Sequence, residues 1–520
     1  MPTAEPPSGV TAPTAPTPPA SGRFGAAPLT RVAWSARRLA RRGPGRYWLW
    51  LTPLVLALTT LTRLPSFGQP VWNPDEGFLA TQARMLAAGG VMYDTVVDRK
   101  PPLVPLLYQG AFALFGDGSL WPLRLLALVS VAVTALLLAS IARRRWGSRA
   151  GATAAALCVL ASVGLNPEDA QAANFEVFML PFTAAAMWCA DRRRWAAAGA
   201  MVAAAFLVKQ TGGAVLLPVL VLLWRGVPSG GGRRLGALSR TLVGFAAPLV
   251  AVGLLFGIGR CLFWMVTGST SYAAFAGSEL HILGRALANT TLFAAGCVGL
   301  LVPILVVLRR RVDRRGVLTV DLWVWLSASA LGVVTGFHFF GHYYLQLLPP
   351  LALLAAGALQ LLSAEWLRFA VVCSVVVCTA FTAWAAHTAR PDLDHSRRVA
   401  QAVRERTTPD EKVLLWGMNP EQYWLADRMP ASRYLTAGLL TNYSGGRDGP
   451  MVGERYGMPG SWPTLLEELA AERPRVIVDD SRGKPYRPGR MPRLKRLLTS
   501  EYQRVAVVDG AVVWVHTGRR

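Results

Sequence analysis

Long apolar runs alternate with short polar connections from about residue 47 to residue 386. Runs that approach about 18 residues predict helices that cross a bilayer. Eleven are expected, the first four at about Tyr47–Leu64, Trp121–Ile141, Gly151–Leu165 and Phe175–Ala190. Trp195–Val208 and Ala214–Trp224 form a short pair turning at Lys209-Gln210-Thr211-Gly212-Gly213. The remainder are Leu242–Phe256, Thr290–Leu308, Leu322–Phe337, Leu345–Leu362 and Phe369–Ala386. Val104–Phe115 is apolar but only a dozen residues long, which predicts a segment lying along or dipping into the membrane surface.

Beyond about His387 the pattern becomes that of a soluble α/β domain. KVLLWG (412–417) and RVIVDD (475–480) predict buried strands, and SWPTLLEELAAE (461–472) a helix with Ser461 as its N-cap. VAVVDGAVVWVH (505–516) alternates around Asp509-Gly510, a two-residue hairpin signal. The fold class is therefore an α-helical polytopic membrane protein with a C-terminal extracytoplasmic α/β domain. Three regions follow: a basic N-terminal tail over 1–46, a multi-span body over 47–386 with a first outer loop at 65–120, and the α/β domain over 387–520.

Charge fixes the orientation. Arginine blocks fall on every second connection, at Arg143–Arg145, Arg192–Arg194 and Arg309–Arg311, as in cytoplasmic loops. The N-terminus is then cytoplasmic and the C-terminal domain outside, in the plasma membrane. This accounts for the formal charge of +24 without a nucleic-acid partner. The Pro/Ala/Thr-rich first 22 residues cannot build a core and predict a disordered tail. The six cysteines lie in apolar runs with no C-x-x-C, so neither disulfides nor a zinc site is expected.

The chemistry concentrates in Trp72–Leu103, a carboxylate-bearing loop between apolar runs. Asn73-Pro74-Asp75-Glu76 reads as a helix start, with Asn73 as N-cap, Pro74 first and Glu76 placed for a reciprocal cap; Gly89-Gly90 ends the run. Capping accounts better for Glu76 than for Asp75. Lys100, before Pro101-Pro102, suits either snorkelling to lipid headgroups or a point charge on a phosphate. Lys209 allows the same two readings. Both stand out because only five residues are lysine, against 49 arginines. Arg124 opens the second span and is a weaker member of the set. Glu168 and Asp169 read as solvated loop charge, whereas Glu176, between Phe175 and Val177, is harder to dismiss. His338, His342 and Tyr343 line an outer turn as possible site walls; the histidines lack a third metal ligand beside them.

These residues carry a resemblance. The first outer loop with Asp75-Glu76, the DRKPPL end (98–103), Arg124, the Lys209 turn and HYYLQLLPPLALLA (342–355) resemble the GT-C membrane glycosyltransferases, specifically the bacterial protein-mannosyltransferase/aminoarabinose-transferase-like group. The resemblance covers about residues 47–386. It implies a sugar carried on a polyprenyl phosphate and transferred at the outer face to a hydroxyl acceptor. It also implies Asp75, with Glu76 beside it, as the catalytic acidic pair, and Lys100, supported by Lys209 and Arg124, at the donor phosphate. An outer acidic position that is often aspartate in relatives has Glu176 as its candidate here. The expected partners are the lipid-linked donor, membrane lipids and an unidentified acceptor on protein, lipid or cell-wall glycan. No cofactor is assigned, and a divalent cation is left open. Two rival classes remain: a transporter or flippase, and a non-catalytic envelope-assembly protein.

Overall fold

The computed structural model describes residues 44–229, 232–268, 279–310, 314, 316–447 and 449–518. The expected tail up to residue 43 and residues 269–278, between the expected spans Leu242–Phe256 and Thr290–Leu308, lie outside the described residues. The chain divides into two compact units, residues 1–49 and residues 50–520. Of the first unit, only the opening turns of helix Pro44–Arg63 are described.

The body is helical, but eleven long helices are not what it contains. Among the described residues, three helical stretches are long and apolar enough to cross a membrane: Trp121–Trp146, Arg233–Phe256 and Ala364–Arg404. A fourth arises if Glu279–Gly296 and Val298–Arg309 count as one span bent by 83°. Other apolar segments are shorter, including Ser148–Ala161, Trp195–Val208 and Val320–Val334. At 1.5 Å per residue a 14-residue helix covers only about 21 Å, short of a hydrocarbon core of about 30 Å. The breaks have local causes. Helix Trp195–Val208 stops at Lys209, in extended conformation, and a 3-10 turn follows at Gln210–Val215.

The connections sort into two ends. Arg145 bridges Asp191 at 3.1 Å and Asp321 at 2.9 Å, and the Trp146 indole N–H donates to the Gly316 carbonyl, so three arginine-rich connections meet. At the other end the Trp72 indole N–H donates to the Pro167 carbonyl, the Gln171 amide to the Thr62 carbonyl, and His342 pairs with Asp169. Helix Trp121–Trp146 joins the two, with Arg124 at one end and Arg145 at the other. That spacing is roughly 31 Å along the helix, a bilayer's apolar thickness. The core between is built from small and aliphatic side chains of several helices, among them Ala154, Met187, Val202, Leu300, Trp325 and Leu353.

The C-terminal region contains a four-stranded mixed sheet in the order β1-β2-β4-β3, with β1 Val413–Trp416, β2 Val476–Asp479, β3 Tyr502–Val508 and β4 Ala511–His516. β1 and β2 are parallel; β4 pairs antiparallel with both β2 and β3. The expected strands and hairpin are present. Asp509 (φ 47°) and Gly510 (φ 84°) take the left-handed conformations that a two-residue turn requires. Helix Ser461–Glu472 forms as expected, but Gly460 (φ 76°) occupies the cap and Ser461 begins the helix, its hydroxyl buried without a partner. Strand alternation splits the core: Leu414, Trp416, Ile477 and Trp514 face one layer, Val413, Leu415, Val476, Val478 and Val513 the other.

Both layers include the first loop. Leu86, Met92, Tyr93, Val96 and Val97 join one, and Phe78 and Met85 pack on the other. Helix Pro74–Ala87 lies against helix Glu421–Ala426 so closely that a Cβ on Gly77 would meet the Glu421 Cα at 2.3 Å. The loop that carries Asp75 is thus seated in the α/β region's core.

Candidate active site

The loop helix starts as its sequence dictates. The Asn73 side chain accepts the Asp75 N–H at 2.7 Å, Pro74 follows, and Gly89 (φ 94°) turns the chain out after Ala87. This turn sends its two carboxylates in different directions.

Glu76 is fully buried. One carboxylate oxygen accepts the Trp72 N–H at 2.7 Å and an Arg124 N–H at 2.9 Å; the other accepts the Ala173 N–H at 2.8 Å. It therefore reaches past the cap residue to the one before it and ties the loop to the connection preceding Phe175. Arg124 is equally enclosed, at 1 % exposure. Besides Glu76 it donates to the carbonyls of Ser66, Gln69 and Pro70. Arg124 thereby gathers the loop's entry, while its Nε–H has no hydrogen-bond partner among the described residues.

Asp75 points the other way and is one-third exposed, 3.6 Å from the Lys100 ammonium. Lys100 also lies over the Phe175 ring at 4.0 Å. Its backbone is fixed on both sides, since its N–H donates to Asp98 at 3.1 Å and its carbonyl accepts from the Tyr93 hydroxyl at 3.0 Å. Asp98 is buried, and burial pushes its carboxyl above the ordinary range against the opposing pull of Lys100 and Gln82.

The next residue after Phe175 holds the second lysine. Glu176 pairs with Lys209, whose ammonium sits 3.5 Å from the centre of the Tyr343 ring. His342 is 3.9 Å from Glu176 and bonds Asp169 through its other ring nitrogen. Burial works against a charge on His342, but Glu176 and Asp169 outweigh it and raise its pKa above the ordinary imidazole value. His338 and His342 stack on Phe340, at 5.8 and 5.5 Å, rather than converging on a common point. Among the described residues no group of three or more His, Cys, Asp or Glu side chains could hold a metal ion.

Consecutive residues, Phe175 and Glu176, thus carry Lys100 and Lys209, while Asp75 meets only Lys100 directly. The sequence reading missed Asp98, Tyr93 and Asn174, and placed Asp169 in solvent. Asn174 is fully buried and its amide has no hydrogen-bond partner. Only the adjacency of Asp98 to the Arg99-Lys100 pair could have flagged any of them. A crevice of about 350 Å³ opens beside Trp72, lined by Leu61, Leu64, Ala385 and Arg390.

A helical body thus holds a carboxylate–lysine pair in its first loop, with a small α/β region seated on that loop. Residues 99–229 match the family described as dolichyl-phosphate-mannose-protein mannosyltransferase, the resemblance that the loop motifs suggested. Among solved structures the chain is similar to ArnT from Cupriavidus metallidurans bound to undecaprenyl phosphate, with TM-score 0.59 and 16 % identity over 92 % of this chain and 99 % of that one. The apo form of the same protein gives TM-score 0.59 and 17 % identity, over 91 % and 98 %. An archaeal oligosaccharyltransferase, AglB from Archaeoglobus fulgidus in complex with an inhibitory peptide and a dolichol-phosphate, gives TM-score 0.50 and 12 % identity, over 91 % and 75 %. No match is found among curated protein sequences. At these identities the structural likeness establishes the fold.

Proposed function

We propose that this protein is a membrane glycosyltransferase that moves a sugar from a polyprenyl-phosphate donor to an acceptor hydroxyl, on protein, lipid or cell-wall glycan, at the outer face of the plasma membrane. The observation that carries it is the half-open Asp75–Lys100 pair, set at 3.6 Å on a loop that other buried contacts hold rigid. The family match over 99–229 and the fold shared with a protein that binds undecaprenyl phosphate support the donor class.

As the acceptor oxygen attacks the anomeric carbon, its proton passes to the Asp75 carboxylate. The bond from that carbon to the phosphate oxygen breaks, and a phosphodiester with one negative charge leaves as a more highly charged monoester. The Lys100 ammonium stabilises the charge that develops. A single displacement of this kind inverts the anomeric centre. Before donor binds, Lys100 and Asp75 neutralise each other; an arriving phosphate draws the ammonium away and leaves the carboxylate as a base. Lys209, locked to Glu176 behind Phe175, orients that wall of the site, and its ammonium supports Lys100 only where an arriving phosphate competes with Glu176 for it. Arg124 and Glu76 act by holding the loop. A lipid-borne donor is presented by the bilayer itself, which suits a loop held at the end of the helical body opposite the arginine-rich connections. The positive-inside rule puts those connections in the cytoplasm and residues 387–520 outside.

Membranes containing wild-type or Asp75→Asn protein, supplied with a polyprenyl-phosphate sugar and envelope acceptor, test this. Loss of a proton acceptor predicts a fall in transfer of about 10²–10⁴-fold with unchanged protein level and melting temperature. Wild-type transfer by Asp75→Asn would sink the assignment.

A further inference from the structure

Far along the chain from the catalytic loop, the C-terminal region contains a crevice of about 340 Å³ between the hairpin, helix Pro492–Glu501 and the segment leading into that helix. The volume is at the lower end of the range for small-molecule sites, about 300–1,000 Å³. Its walls mix three chemistries. Val512, Trp514 and Leu498 supply apolar surface, Asp479 and Thr499 supply acceptors and a hydroxyl, and Arg482, Arg487 and Lys495 supply cations. Strand alternation places Trp514 here: Val512 and Trp514 line the crevice, while Val513 between them belongs to the opposite core layer.

Two features of the crevice have no use in the fold. The Trp514 indole N–H is buried and has no hydrogen-bond partner among the described residues. Buried donors are almost always paired, so an orphaned one on a cavity wall points to a missing acceptor. The cations are also in excess. Residues 480–496 contain seven Lys or Arg against one acid, Asp480. Arg482 pairs with Asp480 at 3.3 Å and Arg493 with Glu454 at 3.6 Å, while Arg487 and Lys495 make no ion pair among the described residues. The segment is nonetheless built rather than loose. Arg482 (φ 44°) and Gly483 (φ 78°) form a left-handed turn, and successive backbone bonds run from Lys484 to Ser481, Arg487 to Lys484 and Arg490 to Arg487.

We propose that this crevice binds an anionic saccharide unit, one bearing a carboxylate or phosphate. The sugar ring lies against Trp514 and accepts its indole N–H, a ring hydroxyl donates to Asp479, and the acid group meets Arg487 and Lys495. An aromatic wall with one polar edge suits a ring that is apolar on its face and hydroxylated at its rim. Cations alone would serve a flat lipid surface equally well; the concave wall and the buried indole N–H favour a small ligand that enters. The site is separate from the donor site, and its occupancy is measured without sugar transfer, so it stands or falls independently of the transferase reading.

The test is calorimetric titration of the full-length protein in detergent with a glucuronate-containing disaccharide. A neutral disaccharide of the same size, inorganic phosphate and phosphatidylglycerol vesicles are the comparison ligands. The acidic sugar is expected to bind at least about tenfold more tightly than the neutral one, the advantage of charge-assisted hydrogen bonds. Arg487→Ala/Lys495→Ala, both at exposed positions, removes that advantage and leaves the melting temperature unchanged. Trp514→Phe keeps the wall, deletes the N–H and weakens both sugars by roughly threefold to tenfold, the loss of one hydrogen bond. Equal affinity for neutral and acidic sugars overturns the proposal. So do inorganic phosphate binding as tightly as the acidic sugar, binding to the vesicles alone, or affinities that neither variant changes.

Discussion

Asp75 and Glu76 share one helical turn, yet their surroundings differ almost completely. Glu76 has three hydrogen-bond donors and no solvent, whereas Asp75 has one lysine and an open side. The sequence separated them in principle, because the cap position suits Glu76. It could not supply the partners that decide the matter, since Arg124 and Ala173 are 48 and 97 positions away. A third carboxylate has a measurable signature. Glu421 is buried beneath the loop helix, with one oxygen bonded to the Ser396 hydroxyl at 2.5 Å and the other without a partner. Burial, aided by Asp480 and Glu168, raises its pKa from 4.5 to about 7. A carboxyl that is easier to protonate in the folded state gives stability that is complete below its unfolded pKa and lost as pH rises through the folded one. The loss is complete above about pH 7 and is on the order of 3 kcal/mol. Glu421→Gln, permanently neutral, is expected to melt higher than wild type at about pH 8 and like it at about pH 4. Parallel melting curves for the two proteins across that range would show that Glu421 is not the group responsible.

Elements were legible to the extent that local pattern governs them. β1 and β2 follow from short continuous apolar runs, the hairpin from alternation around an Asp-Gly turn, and helix Pro74–Ala87 from its Asn-Pro start. The long spans were less legible, because hydropathy registers an apolar run without registering a break inside it. The 83° bend between Glu279–Gly296 and Val298–Arg309 lies within one continuous apolar stretch. The docking of two distant helices was not legible at all. Gly77 looks like an ordinary weak point in a helix, but it is where Glu421 passes. The surrounding contacts reinforce the seat: Arg84 bonds Asp117 at 2.6 Å and Asp427 at 3.0 Å, and Arg433 donates to the Asp94 carbonyl at 2.8 Å. A methyl group at position 77 has to push the helices apart, and overpacking of this kind costs about 1–3 kcal/mol. Gly77→Ala is therefore expected to lower the melting temperature and to reduce transfer by displacing Asp75. Gly110→Ala is the control, since its Cβ meets nothing within 4 Å and alanine is the better helix former. Equal stability of the two variants would refute the close seat.

At the scale of the whole chain, the composition shift near residue 387 suggests a body and an appended domain, and the first loop shares the core of the C-terminal part. Met85, Leu86, Met92, Tyr93, Val96 and Val97 of the first loop complete the two core layers around the C-terminal sheet. The loop's other face is fastened to the helical body through Glu76, Arg124 and Ala173. The C-terminal region therefore forms half of the support of the loop that carries Asp75. A 14-residue helix has little stability of its own in water. Once uncovered, its Phe78, Met85 and Leu86 side lies open to water, and the helix keeps only its packing on Leu103–Phe115 and the Glu76 ties. A chain ending at residue 386 is accordingly expected to insert and retain the Glu176–Lys209 pair, which is made within the body. The same chain should lose amide-exchange protection across Pro74–Ala87 and become open to protease between residues 88 and 98. If Asp75 is the base as proposed, transfer should fall at least as far as in Asp75→Asn, because its carboxylate is then no longer held beside Lys100. If the truncated chain instead kept wild-type exchange protection over that helix, the shared core would have no part in holding the site, and the loop would be anchored by Glu76 and Arg124 alone.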